Sequence, residues 1–436
     1  MRPRVAIVGS GISGLAAAHA LVDHVDISLF EAGDYFGGHT HTVDVRLPNP
    51  QGVFVRHGVD TGFLVFNERT YPQFIALLDE LQIPSARSDM SFSVQVPGAL
   101  GQQTLEWNGA TMNTVFAQRR NLFRPRFLRM LREILRFNTL ATGLAQAGQD
   151  SALAQPLEDF LTQHRFSETF RNWYLLPMLA CIWSCPTDQM LRFPVATLIR
   201  FCHNHGLIQV NDRPQWHTVA GGAKHYVEKI VARIRDKRLA TPVERIDRDA
   251  RGVRLVTRTG TERFDHVVLA THADQSLRML AQPTQTEQHI LGAVRYQPNV
   301  AVLHTDASVM PREKRAWAAW NYERAASQAQ AHQVCLHYWL NRLQPLPFAQ
   351  PVLVSLNPIR DIDPQKVLGR YDYEHPVFDL AAMQAQTRMP EIQGVHGTWY
   401  AGAWMGYGFH EDGLKAGRAA AQSLLASLQF REAEAA

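Results

Sequence analysis

A Gly-x-Gly-x-x-Gly run at Gly9, Gly11 and Gly14, directly behind the apolar tetrad Val5–Val8, constrains this chain more than any other feature. Such a tetrad reads as a buried parallel strand. The first glycine permits the tight turn, the second lets backbone approach a pyrophosphate, and the third lets the next helix lie close on the strand. Leu15–Leu21, rich in alanine, reads as that helix, its N-terminus aiming amides and a partial positive charge at phosphates. A second strand, Val25–Phe30, ends on Glu31, 22 residues after Gly9, where a ribose-hydroxyl acceptor belongs. The unit predicts a dinucleotide site that includes Gly9, Gly11, Ile12, Ser13, Gly14, Glu31 and Ala32; the competing reading is an ordinary tight turn.

A second glycine-rich stretch, WYAGAWMGYGFHEDGLKAGRAAA, begins at Trp399. A middle element runs from Val219 through a helix at Tyr226–Arg235 to Thr241–Ile246. It continues through two alternating strands, Val253–Thr257 and Thr261–Phe264, to a buried strand at His266–Thr271. These pieces predict a discontinuous nucleotide-binding domain made of residues 1–85, 216–285 and 396–430. Residues 86–215 and 286–395 form the second, substrate-binding domain. There, 115–205 reads as mostly helical. Asn299–His304, Trp317–Tyr322, Val334–Leu340 and Val352–Leu356 read as an antiparallel sheet, rich in β-branched and aromatic residues. The Ala/Glu-rich tail, 431–436, reads as disordered.

At 436 residues and a formal charge of +4, the chain is large enough for two domains and carries no global field that argues for nucleic acid. Cys181, Cys185, Cys202 and Cys335 form no C-x-x-C and read as small buried residues of a reducing compartment. The first strand begins at residue 5, leaving no room for a signal peptide, and no run approaches the 18 apolar residues of a membrane span. The expectation is a cytoplasmic protein.

In order along the chain, these segments resemble the flavin amine oxidase and phytoene desaturase superfamily. The resemblance rests on Gly9, Gly11, Gly14, Glu31 and Gly37-Gly38, on TVAGGAKHYVEKI…TPVERI…DHVVLATHA, and on Tyr407-Gly408-Phe409-His410-Glu411-Asp412-Gly413. It implies an α/β and α+β fold: a Rossmann-type FAD-binding domain with a discontinuous substrate domain of antiparallel sheet plus helices. It further implies FAD contacts at Gly37, Gly38 and His39, at Thr61, Gly62 and Phe63, at Val243, and at Ala270 and Thr271. Gly402, Ala403 and His410–Gly413 complete the implied set. Several segments (VDTGFLVFNERTYPQFIALLDEL, YLLPMLACIWSCP, RPQWHTVAGG, GYGFHEDGL) are similar to a bacterial subgroup of predicted FAD-binding amine oxidoreductases. One branch of it resembles desaturases of methylated fatty acyl phospholipids on the route to furan fatty acids. That resemblance implies hydride transfer from an apolar, acyl-lipid substrate to flavin N5, with an unspecified electron acceptor. A soluble-amine oxidase, a carotenoid-type desaturase, and a flavin-binding protein or isomerase without net redox turnover are the alternatives.

Two departures set the chain apart from amine oxidases. His39 stands where monoamine oxidases carry Arg, and Asn299 or Val300 stands where many amine oxidases hold a lysine near N5. His39, Phe409 and His410 are the candidate catalytic residues. His203 and His205 with Cys202 offer nominal metal ligands but no third well-spaced partner, so no metal is expected.

Residues 119–136 carry seven arginines and one acid, Glu133, interleaved with apolar residues. Behind Pro125, Phe127, Leu128, Leu131 and Leu135 fall on one helical face and Arg129, Arg132 and Arg136 on another. The pattern fits an interfacial helix that meets anionic lipid on the inner face of the membrane. It fits equally an amphipathic helix packed on its own domain with a solvated basic face. Nothing else in the chain reads bases, so nucleic acid is not an expected partner. Trp317, Trp320, Tyr322, Tyr338 and Trp339 would back an apolar substrate cavity or pack in the core.

Overall fold

Three separated stretches of chain meet in one five-stranded, wholly parallel sheet, ordered Asp236–Arg238, Asp26–Phe30, Arg4–Val8, His266–Leu269, Thr398–Tyr400. The computed structural model describes residues 2–147, 155–209, 213–326 and 333–435. The apolar tetrad occupies the centre of the sheet and is at most 5% exposed, as a strand covered on both faces must be. Helix Ile12–Leu21 covers one face, and the C-terminal helix His410–Ala435 packs against it. Glycines set that approach: a Cβ on Gly14 would lie 1.9 Å from the Gly9 carbonyl oxygen, and one on Gly417 would lie 2.1 Å from that of Ser13.

The C-terminal helix corrects one expectation. Its backbone continues to Ala435, because Ala and Glu are strong helix formers that extend an existing helix at little cost; Ala436 lies outside the described residues. The middle element forms the expected antiparallel meander, Val243–Asp249, Gly252–Thr257 and Gly260–Phe264.

The second sheet has seven strands, ordered Val367–Val377, Arg295–His304, Leu353–Leu356, Cys335–Trp339, Trp320–Glu323, Phe92–Leu100, Gln103–Asn108. Its neighbours are antiparallel except for Trp320–Glu323 against Phe92–Leu100, which run parallel, so the sheet is mixed. The strand expected from Trp317 starts at Trp320 instead, behind a 3₁₀ turn at Lys314–Ala316. Helices from 112 to 204, including the long helix Pro125–Ala147, cover one face of this sheet around Phe127, Met130, Phe160, Phe170, Leu179 and Phe201. Among the described residues no helix is long and apolar enough to cross a membrane.

Candidate active site

One continuous cavity of about 1490 Å³ runs from the first glycine turn to the long helix Pro125–Ala147. At the glycine turn the backbone is shaped for an anion. Gly9 sits at φ +97°, its N–H donates to the Phe30 carbonyl at 2.8 Å, and a Cβ there would meet the Ala270 oxygen at 2.6 Å. At Gly11 an added Cβ would meet nothing within 4 Å, so its empty side faces the cavity. Gly11 is also the N-cap of helix Ile12–Leu21, and no side chain caps that end. Its first amides therefore remain available to a phosphate.

The Glu31 carboxylate is oriented by the Ser10 N–H at 2.9 Å, the Ser10 hydroxyl at 2.5 Å and the Gly33 N–H at 2.8 Å. A carboxylate offers about four acceptor positions, so one remains for a ribose hydroxyl. Gly37 (φ +126°) donates its N–H to the Ser10 hydroxyl at 3.1 Å, and a Cβ on Gly38 would come within 3.2 Å of the Gly11 Cα. The Gly-Gly pair is thereby pressed against the phosphate turn. Val243, Ala270, Thr271, Gly402 and Ala403 also line the cavity, as do Thr241 and Trp404. The Trp404 indole N–H donates to the Thr271 carbonyl at 3.2 Å, tying the C-terminal glycine-rich stretch to the loop after strand His266–Leu269.

Histidines occupy the middle of the cavity wall. His410 opens the C-terminal helix, shares a hydrogen bond with the Tyr226 hydroxyl at 2.8 Å and stacks on Phe63 at 3.7 Å. Tyr226 in turn pairs with the Thr40 hydroxyl at 2.6 Å. Burial pushes the His410 pKa down to about 3, so its ring is neutral. His39 is freer: its buried Nε2 has no hydrogen-bond partner, and its ring lies 4.9 Å from Tyr373 and 5.3 Å from His375. Burial, then the neighbouring His375 and His272, hold its pKa well below the usual histidine value. Among the described residues no lysine lines the cavity. Asn299 lies behind the wall, its amide nitrogen 3.2 Å from His375 Nδ1 and its oxygen accepting from Asn357 at 2.7 Å.

Beyond the histidines the wall becomes apolar and aromatic. Strand register pairs Trp320 with Phe92 and with Tyr338, and Val94 with Trp107. Directly paired residues, and residues two apart, share a sheet face, so these side chains form one row. Phe92, Trp107, Trp320 and Tyr338 from that row line the cavity. A π-helical turn at Arg171–Leu175 adds Tyr174, and the long helix adds Leu131, Ile134, Leu135 and Asn138. Phe409 closes the row, stacked on Phe201 at 4.7 Å. Three of the five sheet aromatics lie elsewhere. Trp317 and Trp339 meet edge-on at 5.2 Å in a separate small cluster, because Trp339 follows Tyr338 and so points to the other face. Tyr322 is core.

Several residues expected at the cofactor are not on the cavity wall. Glu411 instead accepts the N–H groups of Gln73 and Phe74, at 3.0 and 2.9 Å, and so caps helix Pro72–Glu80. Asp412 accepts the N–H groups of Tyr407 and Phe409, holding the turn before the helix. Gly413 gives close packing, since its Cβ would meet Ile12 Cγ2 at 2.7 Å, and Gly14 plays the same part against Gly9. Thr61 stands behind the wall, bonded to the Tyr373 hydroxyl at 2.8 Å. The sequence reading missed His272, Tyr296, His375 and Trp404. His375 lies on a strand that was not foreseen, whereas Trp404 stands inside a stretch already singled out.

His203, His205 and Cys202 do not assemble a metal centre. The His205 ring stacks on Phe201 at 3.8 Å with Nδ1 3.0 Å from the Phe201 carbonyl, and burial pushes the Cys202 thiol up to about 12. Among the described residues Glu323, Cys335 and His337 do converge, outside the cavity. Their atoms are already engaged: Glu323 pairs with Arg360 at 2.8 Å and with His337 at 3.0 Å, and His337 Nδ1 lies 2.6 Å from the Ser355 hydroxyl. All four cysteines are buried and free.

Residues 12–345 match the family described as flavin containing amine oxidoreductase. No curated protein matches the chain. Among solved structures, cyclohexylamine oxidase from Brevibacterium oxydans IH-35A superposes with a TM-score of 0.69 at 18% identity, over 98% of this chain and 100% of that one. A CLA-producing fatty acid isomerase from P. acnes superposes at 0.65 and 16%, over 97% and 98%. A putative protoporphyrinogen oxidase from Exiguobacterium sp. 255-15 does so at 0.62 and 17%, over 97% and 98%. At these identities the likeness is one of fold.

Proposed function

The chain belongs to the flavin-containing amine oxidoreductase family, and from that premise we propose that this FAD-dependent oxidoreductase desaturates an apolar substrate, a fatty acyl lipid in which methylated chains are included. The observation that carries the reading is the apolar, aromatic extension of a single cavity of about 1490 Å³. Ordinary small-molecule sites occupy roughly 300–1,000 Å³. The volume suits a dinucleotide together with an elongated chain. Among the described residues the sheet row, the π-turn and the long helix themselves put no carboxylate on the cavity wall, and Asp89, which lines it just before Phe92, already faces Arg342 at 3.6 Å. A buried cation without a partner is strongly disfavoured.

The Gly9–Gly11 turn and the uncapped end of helix Ile12–Leu21 would hold the FAD phosphates. Glu31 would hold a ribose, and Gly37-Gly38, Ala270-Thr271 and Gly402-Ala403 would flank the rest. Bound there, FAD supplies a two-electron acceptor. The chain supplies placement: the aromatic row orients the acyl segment and excludes water from the reacting carbon. His39, which lines the cavity with Nε2 unpartnered, takes the proton that leaves with the second C–H bond, against burial that lowers its proton affinity. His410 is a positioning residue, tied to Tyr226 and stacked on Phe63. The electrons leave to an acceptor outside the chain.

The test is product analysis. Holoprotein incubated with detergent-dispersed phospholipids and a dye or quinone acceptor is expected to yield acyl chains lighter by two hydrogens, in step with acceptor reduction. Unchanged lipids together with deamination of a soluble amine would replace this reading with amine oxidation.

A further inference from the structure

We infer that residues 112–136 form a docking face for an anionic phospholipid surface, set at the mouth of the cavity. Four of the molecule's exposed large apolar side chains gather here: Phe123 is 85% exposed, Met112 72%, Leu135 56% and Leu122 44%. Met112 and Leu135 also line the cavity, so its apolar wall continues to the surface between them. Arg119 ties the two parts together, donating to the Phe116 carbonyl at 3.0 Å and to the Asn113 carbonyl at 3.3 Å.

Charge on this face is one-sided. The one acid between 119 and 136, Glu133, is buried and takes the Ser167 N–H at 3.3 Å as well as Arg129 at 3.4 Å. Arg120 and Arg132 are exposed and make no ion pair or hydrogen bond among the described residues. Around the long helix, Leu131 and Leu135 on the cavity side give way to Arg132 and Arg136 within about 100° of arc. Apolar side chains beside unneutralised arginines match an interface of acyl chains under anionic headgroups. Nucleic acid would match the charge but not the exposed Phe123 and Met112. The inference rests on the acyl-lipid reading only for what passes through the mouth.

Holoprotein is sedimented with vesicles of phosphatidylcholine, with and without phosphatidylglycerol. Binding is expected only to the anionic vesicles, weakening with salt. The double variant Arg120→Glu/Arg132→Glu is expected to bind at least about 30-fold more weakly, at roughly one unit of lipid attraction per arginine. Phe123→Ser is expected to weaken binding further. None of these residues lines the cavity, so turnover of detergent-dispersed substrate should be unchanged in every variant. Equal binding to neutral vesicles, or wild-type binding by the double variant, would overturn the inference. So would an oligonucleotide that binds more tightly than vesicles and is lost in the same variant. Failure of dispersed lipid to turn over in the wild type counts against the substrate reading alone.

Discussion

Gly11 and Gly14 stand three residues apart and do different work. A methyl group on Gly11 meets open cavity, whereas one on Gly14 meets the Gly9 oxygen at 1.9 Å. Gly11→Ala should therefore keep the fold and lose FAD, read as loss of flavin absorbance with the thermal midpoint of the apoprotein unchanged. Gly14→Ala should lower the midpoint itself. His39→Gln should retain flavin and lower kcat by about 10²–10⁴-fold, the usual span of a general base, with KM nearly constant. The buried histidines also set a pH dependence. Burial pushes His205 and His375 down to about 4 and His410 to about 3, against 6.5 when free. The unfolded chain takes up protons there that the folded one refuses, so their contribution is complete above about 6.5 and is lost as pH falls toward 4. His337 has the opposite sign: burial lowers its pKa, but Cys335 and Glu323 outweigh that and raise it to about 9. Its contribution is present below 6.5 and lost as pH rises through about 9. Calorimetry across pH should show the thermal midpoint falling more steeply below about pH 6 than above about pH 8, since several buried histidines, His39 and His304 among them, act on the acid side and His337 acts on the alkaline.

At the scale of elements, legibility followed locality. The first strand, turn and helix are specified by neighbouring residues, Val5 to Leu21, and read directly. Strand Phe92–Leu100 was hidden because Pro97-Gly98 breaks its pattern, and its partner across the sheet, Trp320–Glu323, lies more than 200 residues away. Val367–Val377 alternates Tyr371 and Tyr373 with charged residues, a pattern short enough, between Gly369 and Pro376, to give only a weak strand signal for the segment that carries His375. The long helix joins two roles that periodicity alone could not separate. Phe127 is fully buried in the core, while Leu131 lines the cavity one turn later. Phe127→Ala should cost about 3–5 kcal/mol of stability, measured by denaturant unfolding. Leu131→Trp should leave stability nearly unchanged and fill the cavity, lowering kcat/KM for long acyl chains far more than for short ones.

Across the whole molecule, the first and last strands of the parallel sheet flank His266–Leu269, and the ends of the chain close on one cavity. That closure was legible because both glycine-rich ends carry local signals. The substrate side was not, because its wall is assembled from the mixed sheet, a π-helical turn and one edge of the long helix, none of which declares its partners in sequence. The central claim is that the carbon oxidised beside FAD belongs to an acyl chain. Anaerobic bleaching of the flavin band near about 450 nm tests it most directly. Extracted phospholipids should bleach the holoprotein while a panel of soluble amines leaves it oxidised; bleaching by an amine and none by phospholipid would contradict the account.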